Sequence, residues 1–311
     1  MDRSLSSLTT EGRNAASADI DRKSSLEIVQ LINNEDKAVA RAVETALSSI
    51  ARAAESAARS ISVGGRLIYM GAGTSGRLGV LDAVECRPTY GVPDGVVVGL
   101  IAGGREAMFS AVEGAEDSPA LGREDLEGIN VTERDTVVGI ASSGRTPYVI
   151  GALEFARSVG CTTVSIACSP NAAVSAIADI PIEAVTGAEV VTGSTRMKAG
   201  SAQKMILNMI STTAFIRLGK VYGNLMIDVS PTNEKLVSRA LGILAEVVGC
   251  SREYAARLLE LSGQSVKCAA VMGLLDVSRE TALRLLDENG GSVRAVELSQ
   301  PSNNERNEGH I

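Results

Sequence analysis

The feature that most limits what this chain can become is a rhythm of short apolar runs, each ending near Gly, Ser or Pro and each followed by a stretch of helical composition. The runs are RLIYM (66–70), VVVGLIAG (96–103), TVVGIA (136–141), TTVSIAC (162–168) and IPIEAV (180–185). Such short, often β-branched runs read as interior strands of a parallel sheet. The segments between them, including 145–158 and 171–178, read as helices. Alternation of this kind implies an α/β fold, a doubly wound parallel sheet with helices on its faces.

The flanks are different. Residues 1–22 are polar and read as an arm. Over 24–60 the apolar positions Ile28, Ile32, Val39, Val43 and Leu47 recur at helical spacing, which predicts one or two helices, with Asp36 as a candidate cap for the second. A long helix is expected over 196–219 and a loop over 224–233. Residues 236–298 carry no strand signal. They predict short helices over 236–248, 251–262, 264–273 and 278–288, with Ser251 and Ser278 as N-caps, Gly290 and Gly291 ending the fourth, and a last turn over 292–298. The expected division is an arm with helices (1–57), an α/β domain (58–221), a small C-terminal helical domain (222–299) and a disordered tail (300–311).

Composition removes several kinds of chemistry. The one histidine, His310, lies next to the end of the polar tail, so Ser-His-Asp catalysis and histidine-ligated metal are not expected. Thirty basic against 37 acidic residues, net −7, argue against a nucleic-acid surface. No apolar run approaches the ~18 residues of a membrane span, and the N-terminus lacks the apolar core of a signal peptide. Five cysteines, with no C-x-x-C pair, fit reduced thiols in a cytoplasmic protein. No metal or cofactor is expected.

The loop after the first run, GAGTSGRLG (71–79), satisfies G-x-G-x-x-G through Gly71, Gly73 and Gly76. A dinucleotide site would need an acidic residue at the end of the second strand, and VVVGLIAGG has none. Thr74 and Ser75 instead offer hydroxyls at a helix N-terminus, which suits a phosphate monoester. The third run leads into ASSGRTPYV (141–149), where Ser142, Ser143, Gly144 and Thr146 repeat that character, with Pro147 at a plausible first helical position. One hydroxyl would serve as a cap, but three in five residues exceed that need. Two such loops at the carboxyl ends of parallel strands converge on one crevice, which points to a phosphorylated small molecule.

GAGTSGR and SSGRTPYV resemble the phosphosugar loops of sugar-isomerase (SIS) domains. LDAVECRPTYG (81–91), AVEGAEDS (111–118), TGAEVVTGSTRMKAGSAQK (186–204) and GNLMIDVSPTNEKL (223–236) resemble the N-acetylmuramic acid 6-phosphate etherase family, in the right order over roughly 8–298. That family is related to the glucokinase regulatory protein, which carries two such sugar domains in one chain. A single domain here implies a homodimer. The family pattern has a proline where this chain has Arg87. Residues 278–297 resemble a ubiquitin-associated-like three-helix module, read here as packing or dimer support.

Glu85 falls near the expected end of the helix that starts at the first loop. A carboxylate is disfavoured there by the helix dipole, and burial would raise its pKa toward that of a general acid. Glu116 lies in GAED, beyond a helix expected to end near Glu113–Gly114. Alone it is an ordinary loop acid, and the resemblance implies that it is the second catalytic carboxylate, with Glu113 and Asp117 as the nearby competitors. The implied reaction cleaves the ether between sugar C3 and the lactyl group. Arg196 and Lys198, with Ser194 and Thr195, are candidates to neutralise phosphate or lactyl carboxylate, and Glu189 to bond sugar hydroxyls. Asn233, Glu234 and Lys235 are candidates to reach a partner's site. A phosphosugar isomerase and a non-catalytic phosphosugar sensor of the same fold are the competing readings.

Overall fold

Five of the apolar runs form strands: β1 (Leu67–Gly71), β2 (Val97–Ile101), β3 (Thr136–Ile140), β4 (Thr162–Ala167) and β5 (Ile180–Glu183). They make one parallel sheet in the order β2-β1-β3-β4-β5. The computed structural model describes residues 9–229 and 234–300, so Asn233, His310 and the tail from 301 lie outside the described residues. Not every strand is interior, as the sequence suggested. β2 and β5 are the edges. β5 alternates between buried Ile180 and Ile182 and half-buried Pro181 and Glu183, and an edge strand tolerates a proline that cannot donate to the ladder.

The strand order reverses at β1, with β2 on one side and β3 on the other. Gly71, the last residue of β1, pairs with Ile101 and Ile140, so the loops leaving β1 and β3 open side by side. A crevice at the carboxyl ends of strands beside such a reversal is where open α/β sheets bind ligands.

Before the sheet come α1 (Ser25–Asp36), α2 (Val39–Glu44) and α3 (Leu47–Ser62). A capping box between Ser24 and Glu27 starts α1. Asp36 does not cap a second helix. It ends α1, and the Lys37 N–H bonds back to Asn33 and Glu35, which carries the turn almost directly into α2 and leaves no extended cap residue. α1 buries none of its residues and exposes Leu26 and Val29. The helices that follow the strands are α4 (Gly73–Tyr90), α5 (Pro119–Gly128), α6 (Pro147–Val159), α7 (Ala173–Ile177) and α8 (Lys198–Arg217).

Strand pleating sends successive side chains to opposite faces. Ile68, Met70 and Val137 share one core with Val149, Ala152 and Leu153 of α6. On the other face Thr136 meets the hydroxyls of Ser56 and Ser60 on α3 at 3.2 and 2.8 Å. There too the Tyr69 hydroxyl donates to Asp82 of α4 at 2.9 Å. Helices therefore cover both faces. Leu67, Ile68, Tyr69 and Met70 are fully buried, and burial of each large apolar side chain stabilises by about 1.5–3 kcal/mol. Asp82 also accepts from Asn208 of α8 at 2.6 Å, which fastens α4 to β1 and to α8.

The chain divides into two compact units. One comprises Met1–Val84 and Asp94–Ala214, and the other Glu85–Pro93 and Phe215–Ile311. The second is helical: α9 (Glu234–Val248), α10 (Arg252–Leu261), α11 (Val266–Leu275), α12 (Arg279–Glu288) and α13 (Val293–Ser299). Ser251, Ser265, Ser278 and Ser292 each cap a helix through a side-chain oxygen. The expected last turn is a complete short helix. Lys220 and Lys267 share Asp228 at 2.6 and 2.8 Å. Among the described residues no single helix is long and apolar enough to cross a membrane.

Candidate functional site

The first loop is tight because its glycines let backbone meet backbone. A β-carbon on Gly76 would stand 2.5 Å from the Gly71 carbonyl oxygen and 2.6 Å from Ile101 Cγ1. Only a hydrogen fits there, and the start of α4 is pulled down onto the sheet. The amide ends of α4 then face the crevice, as the helix dipole favours for an anion.

The second loop turns at Gly144, whose φ is 71°. A β-carbon there would lie 2.3 Å from Ala172 Cβ, so both conformation and space require glycine. Thr146 is the N-cap residue of α6, followed by Pro147, yet its side chain makes no capping bond. The Ser143 hydroxyl accepts from the Arg145 N–H at 3.3 Å, which leaves its own hydrogen to donate.

Gln203, fully buried on α8, joins the two loops. Ser75 donates to Gln203 Oε1 at 3.0 Å, and Gln203 Nε2 donates to Ser142 Oγ at 2.9 Å. The Ser75 hydrogen is therefore engaged within the protein, whereas that of Ser142 is not. Ser75 fastens the loops, and Ser142 and Ser143 carry the donors. Nothing in the G-x-G-x-x-G pattern distinguishes these roles. The available signal was a polar residue interrupting the apolar stripe of the helix, at the same spacing as Ile206 and Ile210.

Between the loops is a cavity of about 440 Å³. Gly73, Thr74, Ser75, Ser142, Ser143 and Thr146 line it, as the sequence suggested, and Glu116 and Thr195 complete the wall. Gly144 shapes the turn without lining the cavity. Asp117, the neighbouring competitor of Glu116, also lines it, as do Arg145 and Glu11, which were not expected. Glu116 and Asp117 also bound an adjoining compartment of about 300 Å³, together with Arg77 and Glu113. Arg77 holds that wall through the Ala107 and Met108 carbonyls, at 2.7 and 3.1 Å. No helix precedes Glu116, contrary to expectation. After a 3-10 turn over Gly104–Met108 the chain makes only turns up to Ser118, with Gly114 at φ 71°. A looser backbone thus carries Glu116, and its Glu116 carbonyl is held by the Tyr148 N–H at 3.0 Å.

Other expected residues stand elsewhere. Glu85 is exposed and lies five residues before the end of α4, outside the last turn where it was expected. Glu189 is 1% exposed and accepts from the N–H groups of Lys198 and Ala199 at 3.1 and 2.9 Å, which caps α8. Lys198 is 4% exposed, and its ammonium meets Glu35 at 2.6 Å. Arg196 is exposed, and the Ser194 N–H bonds to the Val191 carbonyl. None of these five lines the cavity. Burial pushes the thiols of Cys161 and Cys168 up to about 11 and about 12, which leaves no nucleophilic thiolate there at neutral pH.

The hydrogen bond from Lys198 holds the Glu35 carboxyl below its ordinary range. A carboxylate depressed in the folded state adds stability above its unfolded pKa and loses it as pH falls through the folded one. Glu35→Gln should therefore flatten the acid side of the stability curve below about pH 4.5, as read by denaturant melts at several pH values.

Residues 49–157 match the family model of the glucokinase regulatory protein N-terminal SIS domain, and residues 121–213 match that of the SIS domain. A Vibrio campbellii protein named N-acetylmuramic acid 6-phosphate etherase is 54% identical over 298 residues, which cover 96% of this chain and 97% of that protein. An Escherichia coli O1:K1 / APEC protein of the same name is 57% identical over 270 residues, covering 87% of this chain and 91% of its own.

Proposed function

The chain belongs to the N-acetylmuramic acid 6-phosphate etherase family, and from that premise we propose that it cleaves the lactyl ether of N-acetylmuramic acid 6-phosphate, as a lyase that eliminates D-lactate and adds water. The observation that carries this reading is a cavity where two hydroxyl-bearing loops and Glu116 meet beside the reversal of strand order.

The phosphate sits against the loop hydroxyls and helix amides, which fixes the sugar remote from the reacting carbons and supplies orientation. Ring opening exposes an aldehyde at C1, and the C2 proton becomes acidic. Glu116 removes that proton. Glu85 protonates the departing lactyl oxygen, so the C3–O bond breaks and D-lactate leaves. Water then adds at C3 of the unsaturated aldehyde, and N-acetylglucosamine 6-phosphate results. Each positioned acid or base contributes about 10²- to 10⁴-fold.

The working form is a homodimer in the cytoplasm. α1 buries none of its own residues. Leu81 and Val84, four residues and one residue before Glu85, are 50% and 63% exposed. Apolar surface of this kind supports cover by a second copy.

The test is to incubate the protein with N-acetylmuramic acid 6-phosphate in isotopically labelled water. D-lactate should appear, and the label should enter the sugar at C3. A phosphosugar isomerase would release no lactate, and a sensor would bind without turnover. Lactate release with the label in lactate would mean cleavage on the other side of the ether oxygen and would reject the elimination.

A further inference from the structure

One wall of the cavity is contributed by a segment that no motif pointed to. Glu11 belongs to the N-terminal arm, in a 3-10 turn over Thr9–Glu11, yet it lines the same cavity as the two loops. Thr10 beside it is fully buried, so the arm is seated in the α/β unit. A polar cluster anchors the arm. Asn14 donates to Glu35 Oε2 at 2.8 Å and to the Ala188 carbonyl at 3.3 Å, and Glu35 is held in turn by Lys198. The Glu11 carboxylate rests against the turn before α8, where a β-carbon on Gly193 would lie 3.2 Å from Glu11 Oε2.

Among the described residues no hydrogen-bond donor or cation pairs with that carboxylate. A carboxylate is an acceptor only, so its partners must be donors. A carboxylate also repels a phosphate dianion, so a phosphate in this cavity would favour the loop hydroxyls and amides over the neighbourhood of Glu11. A phosphorylated amino sugar has neutral donors at its other end, its hydroxyls and its amide N–H. We propose that Glu11 is a sugar-recognition residue, whose carboxylate accepts hydrogen bonds from those donors and orients the sugar with its phosphate toward Ser142 and Ser143. The proposal rests on the phosphosugar reading of the cavity and adds the residue that reads the sugar rather than the phosphate.

The experiment compares Glu11→Ala and Glu11→Gln with the unaltered full chain. Affinities for N-acetylglucosamine 6-phosphate and for inorganic phosphate are measured by calorimetry, alongside KM and kcat for lactate release. Glu11→Ala should weaken sugar-phosphate binding about 10- to 100-fold, the range for hydrogen bonds to a charged group, with phosphate affinity unchanged. KM should rise more than kcat falls. Glu11→Gln, which keeps an acceptor oxygen, should lose less than Glu11→Ala. Equal weakening of both ligands would show that the arm only supports the fold, and no change in either would place Glu11 outside the site; each overturns the proposal. If the unaltered protein binds the sugar phosphate but releases no lactate, the etherase reading fails while the Glu11 comparison still stands.

Discussion

Replacing Glu116 with glutamine is expected to slow D-lactate release by about 10²- to 10⁴-fold while sugar-phosphate binding survives. Glutamine keeps the shape and an acceptor oxygen but cannot take a proton. The loss should fall on kcat, because proton removal from C2 belongs to the transition state and not to the bound ground state. Exchange of the C2 proton with deuterated solvent should stop as well. Full exchange without turnover in Glu116→Gln would assign the base elsewhere, with Asp117 on the same wall as the next residue to change.

Glu85→Gln should also abolish lactate release, but for a different reason: the lactyl oxygen would have to leave unprotonated. C2 exchange should then persist. The two variants together read the assembly. If Glu85 of one subunit serves a site whose Glu116 comes from the partner, a mixed dimer of the two dead variants holds one intact site out of two, and random mixing recovers about a quarter of wild-type activity. Recovery is the expected result, given the exposed apolar residues that flank Glu85. No recovery from demonstrably mixed dimers would assign both groups to one chain.

Ser143→Asp is expected to reduce sugar-phosphate affinity by about 10³-fold or more. A donor is lost and a like charge is placed within a few ångströms of the phosphate, where one charge pair at ~4 Å costs about 4 kcal/mol at an intermediate dielectric. Ser143→Ala, which loses only the donor, should cost about 1 kcal/mol, or less than tenfold. The contrast isolates charge from shape. Comparable calorimetric affinity in Ser143→Asp and wild type would move the phosphate away from this loop.

The two loops were legible because their requirements are local. Gly76 must pass within a carbonyl's reach of Gly71, and Gly144 must adopt a positive φ against Ala172. Such needs leave glycine and hydroxyl residues at fixed offsets from a strand. The three central strands were legible for a similar reason, since burial on both faces leaves a continuous apolar run. The edge positions were less visible: β5 shows its edge only as Pro181 and Glu183 in an otherwise apolar run, and β2 is apolar throughout. The arm was legible only as polar. Its 3-10 turns have too few residues for periodicity, and the place where Glu11 comes to rest depends on Asn14, Glu35 and Lys198, which are far apart in the chain.

Local chemistry thus settled the α/β character and the positions of the two hydroxyl-bearing loops, because each depends on residues a few positions apart. Long-range packing decided which charged groups are available to a ligand. Lys198 and Glu189 carry the right chemistry for a binding site, yet one is paired with Glu35 and the other caps α8. Glu11, which no pattern marks, reaches the cavity. A side chain's charge is written in its type, but whether that charge is already satisfied is a property of neighbours that only the folded chain brings within 3 Å.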